Sequence, residues 1–175
     1  MKKKLTEELN RISIEEYKIM PKNKIIIVAD NIRSLNNIGS MFRTSDAFGV
    51  EAIYLCGISA TPPNKEIHKT ALGAELSVEW KYFKNTEDAV NSLKENGYTI
   101  CVVEQVKNSV PLNEMLPEKT KKYAFIFGNE VNGVSQEVIN MSDLALEIPQ
   151  IGTKHSLNVS VTTGIVIWEF FKKYK

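Results

Sequence analysis

The sequence is poor in cysteine, has almost no surplus of charge and contains no long apolar run, and each shortage removes a class of protein. Its two cysteines, Cys56 and Cys101, lie in or at the end of apolar segments and lack the spacing of zinc ligands. A chain of 175 residues can bury a core without disulfides or structural metal, so no metal is expected. Lys and Arg number 22 against 21 Asp and Glu, and the net charge of +1 does not by itself announce a nucleic-acid binder. No stretch approaches the ~18 consecutive apolar residues of a membrane span, and no apolar segment follows the basic start as it would in a signal peptide. A cytoplasmic protein with reduced thiols is expected. Neither GxGxxG nor GxxxxGK[ST] occurs, so a dinucleotide fold or a P-loop has no support.

What remains is ordinary globular composition, 43% hydrophobic and 25% charged, in a length that suits one domain. Leu5, Leu9, Ile12 and Glu16 fall at helical spacing, which predicts an amphipathic helix over 3–19 packed on the domain and ending before Pro21. Residues 1–22 thus read as an N-terminal helical extension and 23–175 as a single domain. Continuous apolar runs at Lys24–Asp30, Ala52–Cys56, Tyr98–Glu104, Tyr123–Gly128 and Leu144–Ile148 read as strands buried on both faces, with a shorter candidate at Val78–Phe83. Helical patterns lie around Ile38–Phe48, Thr86–Asn96, Ser135–Met141 and Leu157–Tyr174, with a short polar helix after Thr61-Pro-Pro-Asn64. Gly49 and Gly97 stand where C-terminal caps belong. Alternating buried strands and helices give a mainly parallel α/β sheet.

Three polar segments follow predicted strands, where open α/β sheets bind ligands. In Asp30–Gly49, the residues Asn37, Gly39, Ser40 and Arg43 gather amides and a guanidinium near a helix start that suits an RNA phosphate; alternatively Asn36 or Asn37 only caps the helix and Arg43 pairs with a surface carboxylate. In Phe127–Ser135, two glycines let the backbone approach a ligand, and Glu130 stands in a tight turn where it can accept from Arg or a hydroxyl; the same pattern also makes a plain turn. In Ile148–Ser160, Ser156 and Asn158 bracket Leu157 at the start of the last helix, as a ligand loop or as a simple cap. The basic ends, Met1–Lys4 and Lys172–Lys175, read as RNA contacts or as solvated tails.

Taken together the segments resemble the three motifs of the SpoU, or TrmH-like, branch of the SPOUT RNA methyltransferases. Asn37, Gly39, Arg43, Phe48 and Gly49 match the first; Phe127, Gly128, Glu130, Gly133, Val134 and Ser135 the second; Ile148 through Ser160 the third, with Lys69–Glu75 similar to the family's intervening Gly-Ala segment. Order and spacing agree over roughly residues 24–173. The resemblance implies a Rossmann-like α/β fold whose C-terminal part, about 123–175, is tied in a trefoil knot, a topology that sequence physics alone would not propose. It implies S-adenosylmethionine as cofactor, RNA (tRNA or rRNA) as substrate, a ribose 2′-hydroxyl as methyl acceptor and a homodimer with the site completed across its interface.

Carried over residue by residue, the resemblance places the cofactor against Phe127, Gly128, Ile148, Gln150 and Leu157, with Glu104 lining the same pocket. Arg43 matches the catalytic arginine, and Asn37, Glu130, Ser156 and Asn158 the polar residues around it. Arginine is a reluctant base, so two forms stand: Arg43 accepts the hydroxyl proton, aided by Glu130 and a phosphate, or it stays charged and stabilises the developing alkoxide. His155 stands where many relatives carry another residue and reads as a polar group at a helix start. A non-catalytic RNA-binding or assembly protein with the same fold is the rival; base methylation, as in other SPOUT branches, matches the motifs poorly.

Overall fold

The computed structural model describes residues 1–174. Seven parallel strands form one sheet: β1 (Asn23–Asp30), β2 (Val50–Cys56), β3 (Glu79–Phe83), β4 (Tyr98–Val103), β5 (Val110–Pro111), β6 (Lys122–Phe127) and β7 (Leu144–Glu147), in the spatial order β3-β2-β1-β6-β4-β7-β5. The central strands are apolar throughout because both faces are covered. Ile25, Ile27 and Ala29 of β1 join Phe125 and Phe127 in one core, while Ile26 and Val28 join Ala124 and Ile126 in the other.

The first core is closed by α2 (Leu35–Ala47), α3 (Lys65–Ala71) and α7 (Val159–Tyr174), the second by α5 (Thr86–Glu95) and α6 (Gln136–Met141). Phe170 of α7 is fully buried with its ring 4.5 Å from Phe125 and 5.3 Å from Tyr123. Phe48, just past α2, packs its ring 5.8 Å from Trp168 and 5.1 Å from Phe171. These aromatic contacts fix the C-terminal helix under the middle of the sheet. Among the described residues no helix is long and apolar enough to cross a membrane. Cys56 and Cys101 are free and buried, and burial pushes both thiols up to about 12, which makes them inert as nucleophiles at neutral pH.

The structure departs from the sequence reading in three places, the second being two elements it did not contain. The helix over 3–19 is instead a 3-10 turn at Thr6–Leu9 and a separate α1 (Ile14–Ile19). Asn10 turns left-handed between them, and Ser13 restarts the helix: its hydroxyl accepts from the Glu16 amide at 3.1 Å while Glu16 accepts from the Ser13 amide at 2.7 Å. Leu5, Leu9 and Ile12 stay exposed, and among the described residues of this extension only Tyr17 is buried. Second, α4 (Ala74–Ser77) and the two-residue β5 carry no periodic signal in sequence. Third, Gly39 sits inside a helix and offers no free donors to a loop. A Cβ there would lie 2.1 Å from the Thr70 hydroxyl and 2.3 Å from the Ile67 carbonyl, so Gly39 is the point where α2 and α3 touch. Lys175, the end of the basic tail, lies outside the described residues.

Gly39→Ala is expected to destabilise the fold by about 2 kcal/mol, because the obstruction includes backbone that cannot rotate away. Urea melts would show a lower midpoint; an unchanged midpoint would mean that α3 is free to shift.

Candidate functional site

The sheet itself assembles the site. Ala29 of β1 is in register with Phe127 of β6, Phe127 with Val103 of β4, and Val103 with Leu146 of β7, so four strands end level. The segments that follow them, 30–34, 128–135, 104–107 and 148–158, meet at the C-terminal edge, where the chain order reverses across β1 and β6.

Glu130 holds these segments together. Its Oε2 accepts from the Arg33 amide at 3.0 Å and its Oε1 from the Ser34 amide at 3.0 Å and from Asn37 Nδ2 at 3.1 Å. Asn37 Oδ1 in turn accepts from Asn158 Nδ2 at 3.2 Å. Asn158 spends its own Oδ1 on the Ser160 amide at 2.9 Å and the Val161 amide, which makes it the N-cap of α7. One carboxylate therefore ties the start of α2 to the start of α7. It sits at the positive end of the 13-residue α2, the place expected to attract a phosphate. That N-terminus is occupied by the protein's own anion, and Ser34, not Asn36 or Asn37, caps the helix by accepting from the Asn37 amide at 3.3 Å. Glu130 accepts from amides, not from an arginine side chain or a hydroxyl as its turn position suggested.

Burial pushes the Glu130 carboxyl up, but the amides of Arg33, of Glu130 itself and of Ser34, with the Asn37 side chain, outweigh it and hold the group below the usual carboxylate range. A carboxylate so stabilised is a poor proton acceptor and a good anchor.

Beside this chain of bonds lies a cleft of about 1140 Å³. Glu104, Phe127, Gly128, Ile148, Gln150 and Leu157, the six residues expected at the cofactor, all line it, as do Glu130, Ser156 and Asn158. Asn37 stands behind, buried and reaching the cleft only through Glu130 and Asn158. Arg43 does not line it: it is exposed in the third turn of α2, 120° around the helix from Asn37 by the ordinary ~100° per residue. Sequence spacing alone does not bring the arginine into this pocket. His155 lines the cleft from the loop before α7, not from the helix start.

The cleft floor is built by close backbone approach. A Cβ on Gly128 would stand 2.3 Å from the Gly133 carbonyl carbon and from the Val134 nitrogen; Gly133 has φ +67° and passes so near Glu104 that a Cβ would meet its carboxylate at 2.3 Å. Glu104 fixes that turn by accepting from the Val134 amide at 3.2 Å and the Gln105 amide at 2.9 Å. Val134, Ile148 and Leu157 give an apolar wall, and Glu104, Glu130 and Glu147 against the single Lys107 leave the lining net negative. An adenosine bearing a cationic sulfonium meets both requirements, so the residues present fit S-adenosylmethionine. Among the described residues no group of three or more His, Cys, Asp or Glu side chains could hold a metal ion.

Two further ties escaped sequence reading. Asn129 donates to the Asn31 carbonyl at 2.7 Å, joining the second segment to the first, and Gln105 donates to the His155 carbonyl at 2.7 Å, holding the third segment over the cleft. The richness of both loops in amide side chains is the only signal that could have found them.

Glu130→Gln is expected to lower stability by about 1 kcal/mol or less at neutral pH, the group being exposed. Because the folded-state pKa lies below the unfolded one, the contribution is complete above the unfolded value near ~4.3 and disappears as pH falls through the folded value. Urea midpoints of the two proteins should therefore converge as pH falls through the acid range; a gap that stays constant or widens towards acid would contradict the anchoring role.

The model of the SpoU rRNA Methylase family matches residues 24–168. Among curated proteins, a tRNA (guanosine(18)-2′-O)-methyltransferase of Aquifex aeolicus is 33% identical over 148 residues, covering 83% of this chain and 67% of the relative. The crystal structure of the A. aeolicus TrmH/SpoU tRNA modifying enzyme superposes with a TM-score of 0.80 at 29% identity, covering 91% of this chain and 81% of that one. An AdoMet-bound rRNA methyltransferase from Sinorhizobium meliloti gives 0.78 at 26% identity, covering 85% and 56%. The chain spans from 58% to 81% of the length of such curated relatives. With a match over most of its length and a cleft built from all three motif segments, the chain belongs to the SpoU rRNA methylase family.

Proposed function

We propose that this protein transfers a methyl group from S-adenosylmethionine to a ribose 2′-hydroxyl of RNA. The observation that carries the reading is the convergence of Glu130, Ser156 and Asn158 with the six expected cofactor residues on one cleft. The cofactor supplies an electrophilic methyl on a positive sulfur. The chain supplies position: backbone at Gly128 and Ile148–Gln150 together with the side chain of Leu157 form the walls, and the carboxylates of Glu104 and Glu130 favour the cation. Ser156 and Asn158 present short polar groups beside the place where a hydroxyl would enter. As the two named relatives act on tRNA and rRNA, both remain open as substrates.

The reading extends to a homodimer. Arg43 lies outside the cleft of its own chain, and α7, which packs on α2, exposes Val161, Ile165 and Trp168 at a spacing that makes one stripe. A second copy docked on that stripe would bury it and bring its Arg43 to the site, to accept the proton or to stabilise the alkoxide. The extension over 1–22, the domain over 23–175, a cytoplasmic setting and a trefoil knot over about 123–175 belong to the same reading. Support for the knot is that β6 inserts between β1 and β4, both earlier in the chain, before α7 doubles back against Tyr123 and Phe125. The position of Arg43 is also the one observation that favours the rival, a non-catalytic RNA-binding protein.

Incubation with labelled S-adenosylmethionine and total RNA, followed by digestion to nucleosides, is expected to yield 2′-O-methylated nucleosides. Arg43→Ala should reduce the rate at saturating RNA by about 100-fold or more, with Arg43→Lys close to the wild type if charge alone matters and intermediate if the planar guanidinium matters too. Cofactor binding without transfer, or full activity in Arg43→Ala, would contradict the proposal. Trp168→Glu is expected to shift the protein to monomer in sedimentation and to remove activity while leaving cofactor affinity in place. An active monomer would remove the dimer from the account.

A further inference from the structure

Methyl transfer to a ribose needs a group that takes the hydroxyl proton, and the carboxylates of the cleft are already engaged. Glu130 accepts from the Arg33 and Ser34 amides and the Asn37 side chain, bonds that hold it ionised and weaken it as a base. Glu104 accepts from the amides of Val134 and Gln105, and Glu147 from the Ser109 hydroxyl at 2.6 Å. Lys107, the remaining charged side chain of the lining, is a donor. Arg43 lies outside the cleft of its own chain, and a guanidinium is a reluctant base wherever it stands.

His155 completes the titratable residues of the lining, and its ring makes no hydrogen bond among the described residues. Its main chain, by contrast, is held on both sides. The His155 carbonyl accepts from Gln105 Nε2 at 2.7 Å, and three residues on Asn158 is tied to Asn37 at 3.2 Å. The imidazole is thus carried, exposed, on a segment fixed at two points and next to Ser156, where the hydroxyl would enter. The protein's other histidine, His68, is paired with Glu75 at 2.5 Å and lies outside the cleft. An imidazole ordinarily exchanges its proton between about pH 5 and 8 and offers a lone pair when neutral, as a general base at neutral pH must. The charged groups around it are Glu104 and Lys107 after β4, Glu130 in the 128–135 loop, Glu147 at the end of β7, Lys154 in its own loop and, in the dimer proposed above, Arg43 of a second copy. The carboxylates favour the imidazolium that forms; the lysines and the guanidinium favour the alkoxide.

We propose, resting on the methyl-transfer reading above, that His155 is the general base of the reaction and that Arg43 stays charged throughout, stabilising the developing alkoxide. A ring nitrogen of neutral His155 takes the hydroxyl proton while the ribose oxygen bonds to the methyl carbon. The carbon–sulfur bond breaks with its electron pair going to sulfur, so the positive charge that began on the sulfonium ends on the imidazolium, which returns the proton to solvent.

The test is single-turnover methylation of total RNA by the full chain at saturating cofactor and RNA, followed from about pH 5 to about pH 8.5. The wild-type rate should rise with pH and then level off, the direction for a base that must be unprotonated to act. His155→Gln should lower the plateau by about 100-fold or more and flatten the rise. Calorimetry should show it binding the cofactor with unchanged affinity, because the tie to Gln105 uses the backbone carbonyl. Added imidazole should restore part of the rate to His155→Ala and none to Arg43→Ala. A pH-independent wild type, a His155→Gln rate within about threefold of the wild type, or a loss that more RNA makes good would overturn the assignment. If His155→Gln does lose cofactor affinity, the imidazole experiment decides: rescue of His155→Ala supports the base, and its absence overturns it. A wild type that transfers no methyl at any pH removes the reading beneath the proposal, whereas an active wild type with any of the contrary results removes His155 alone.

Discussion

The site depends on one carboxylate placed at the start of one helix. Glu130 lies nearly a hundred residues from Arg33 and Ser34, yet its two oxygens take both of their amides and the Asn37 side chain. Asn37 passes the connection to Asn158 and so to the start of α7. Three segments far apart in sequence are thereby held in one arrangement, two of the bonds using the amides that lead into α2 and two using the side-chain amides of Asn37 and Asn158. Anchoring and electrostatics agree: the amides that fix Glu130 also keep it ionised, and its charge then faces the cleft that a sulfonium would enter.

Around this anchor the sheet sets distance and the glycines set clearance. Level strand ends at Ala29, Phe127, Val103 and Leu146 bring four loops to one edge, and no side chain could be tolerated at Gly128 where the turn passes over itself. The aromatic contacts of Phe170 with Tyr123 and Phe125 hold α7 from beneath, so the loop of 148–158 is suspended between two fixed ends. Gln105 limits its remaining freedom through the His155 carbonyl.

Much of this was legible in the sequence where burial on both faces leaves continuous apolar runs. Lys24–Asp30 and Tyr123–Gly128 became β1 and β6 within a residue or so, and Gly49 and Gly97 do take positive φ after their helices. The motif segments pointed to the right edge of the sheet. What spacing could not supply was tertiary: Glu130 found amides where a guanidinium or hydroxyl was expected, Gly39 served a helix crossing, and Arg43 is not among the residues lining the cleft. The N-terminal segment failed for the opposite reason. Its Leu5, Leu9 and Ile12 repeat is real, but no surface of the domain accepts it, and a local Ser13–Glu16 cap wins over propensity.

The central claim is that the cleft over β4, β6 and β7 is where S-adenosylmethionine binds. A titration of the cofactor into isotope-labelled protein tests it most directly. Amide shifts should concentrate at Glu104–Lys107, Phe127–Gly133 and Leu146–Leu157 and leave α5 and β3 unmoved. Shifts scattered over the surface, or centred on any other part of the sheet, would contradict the account.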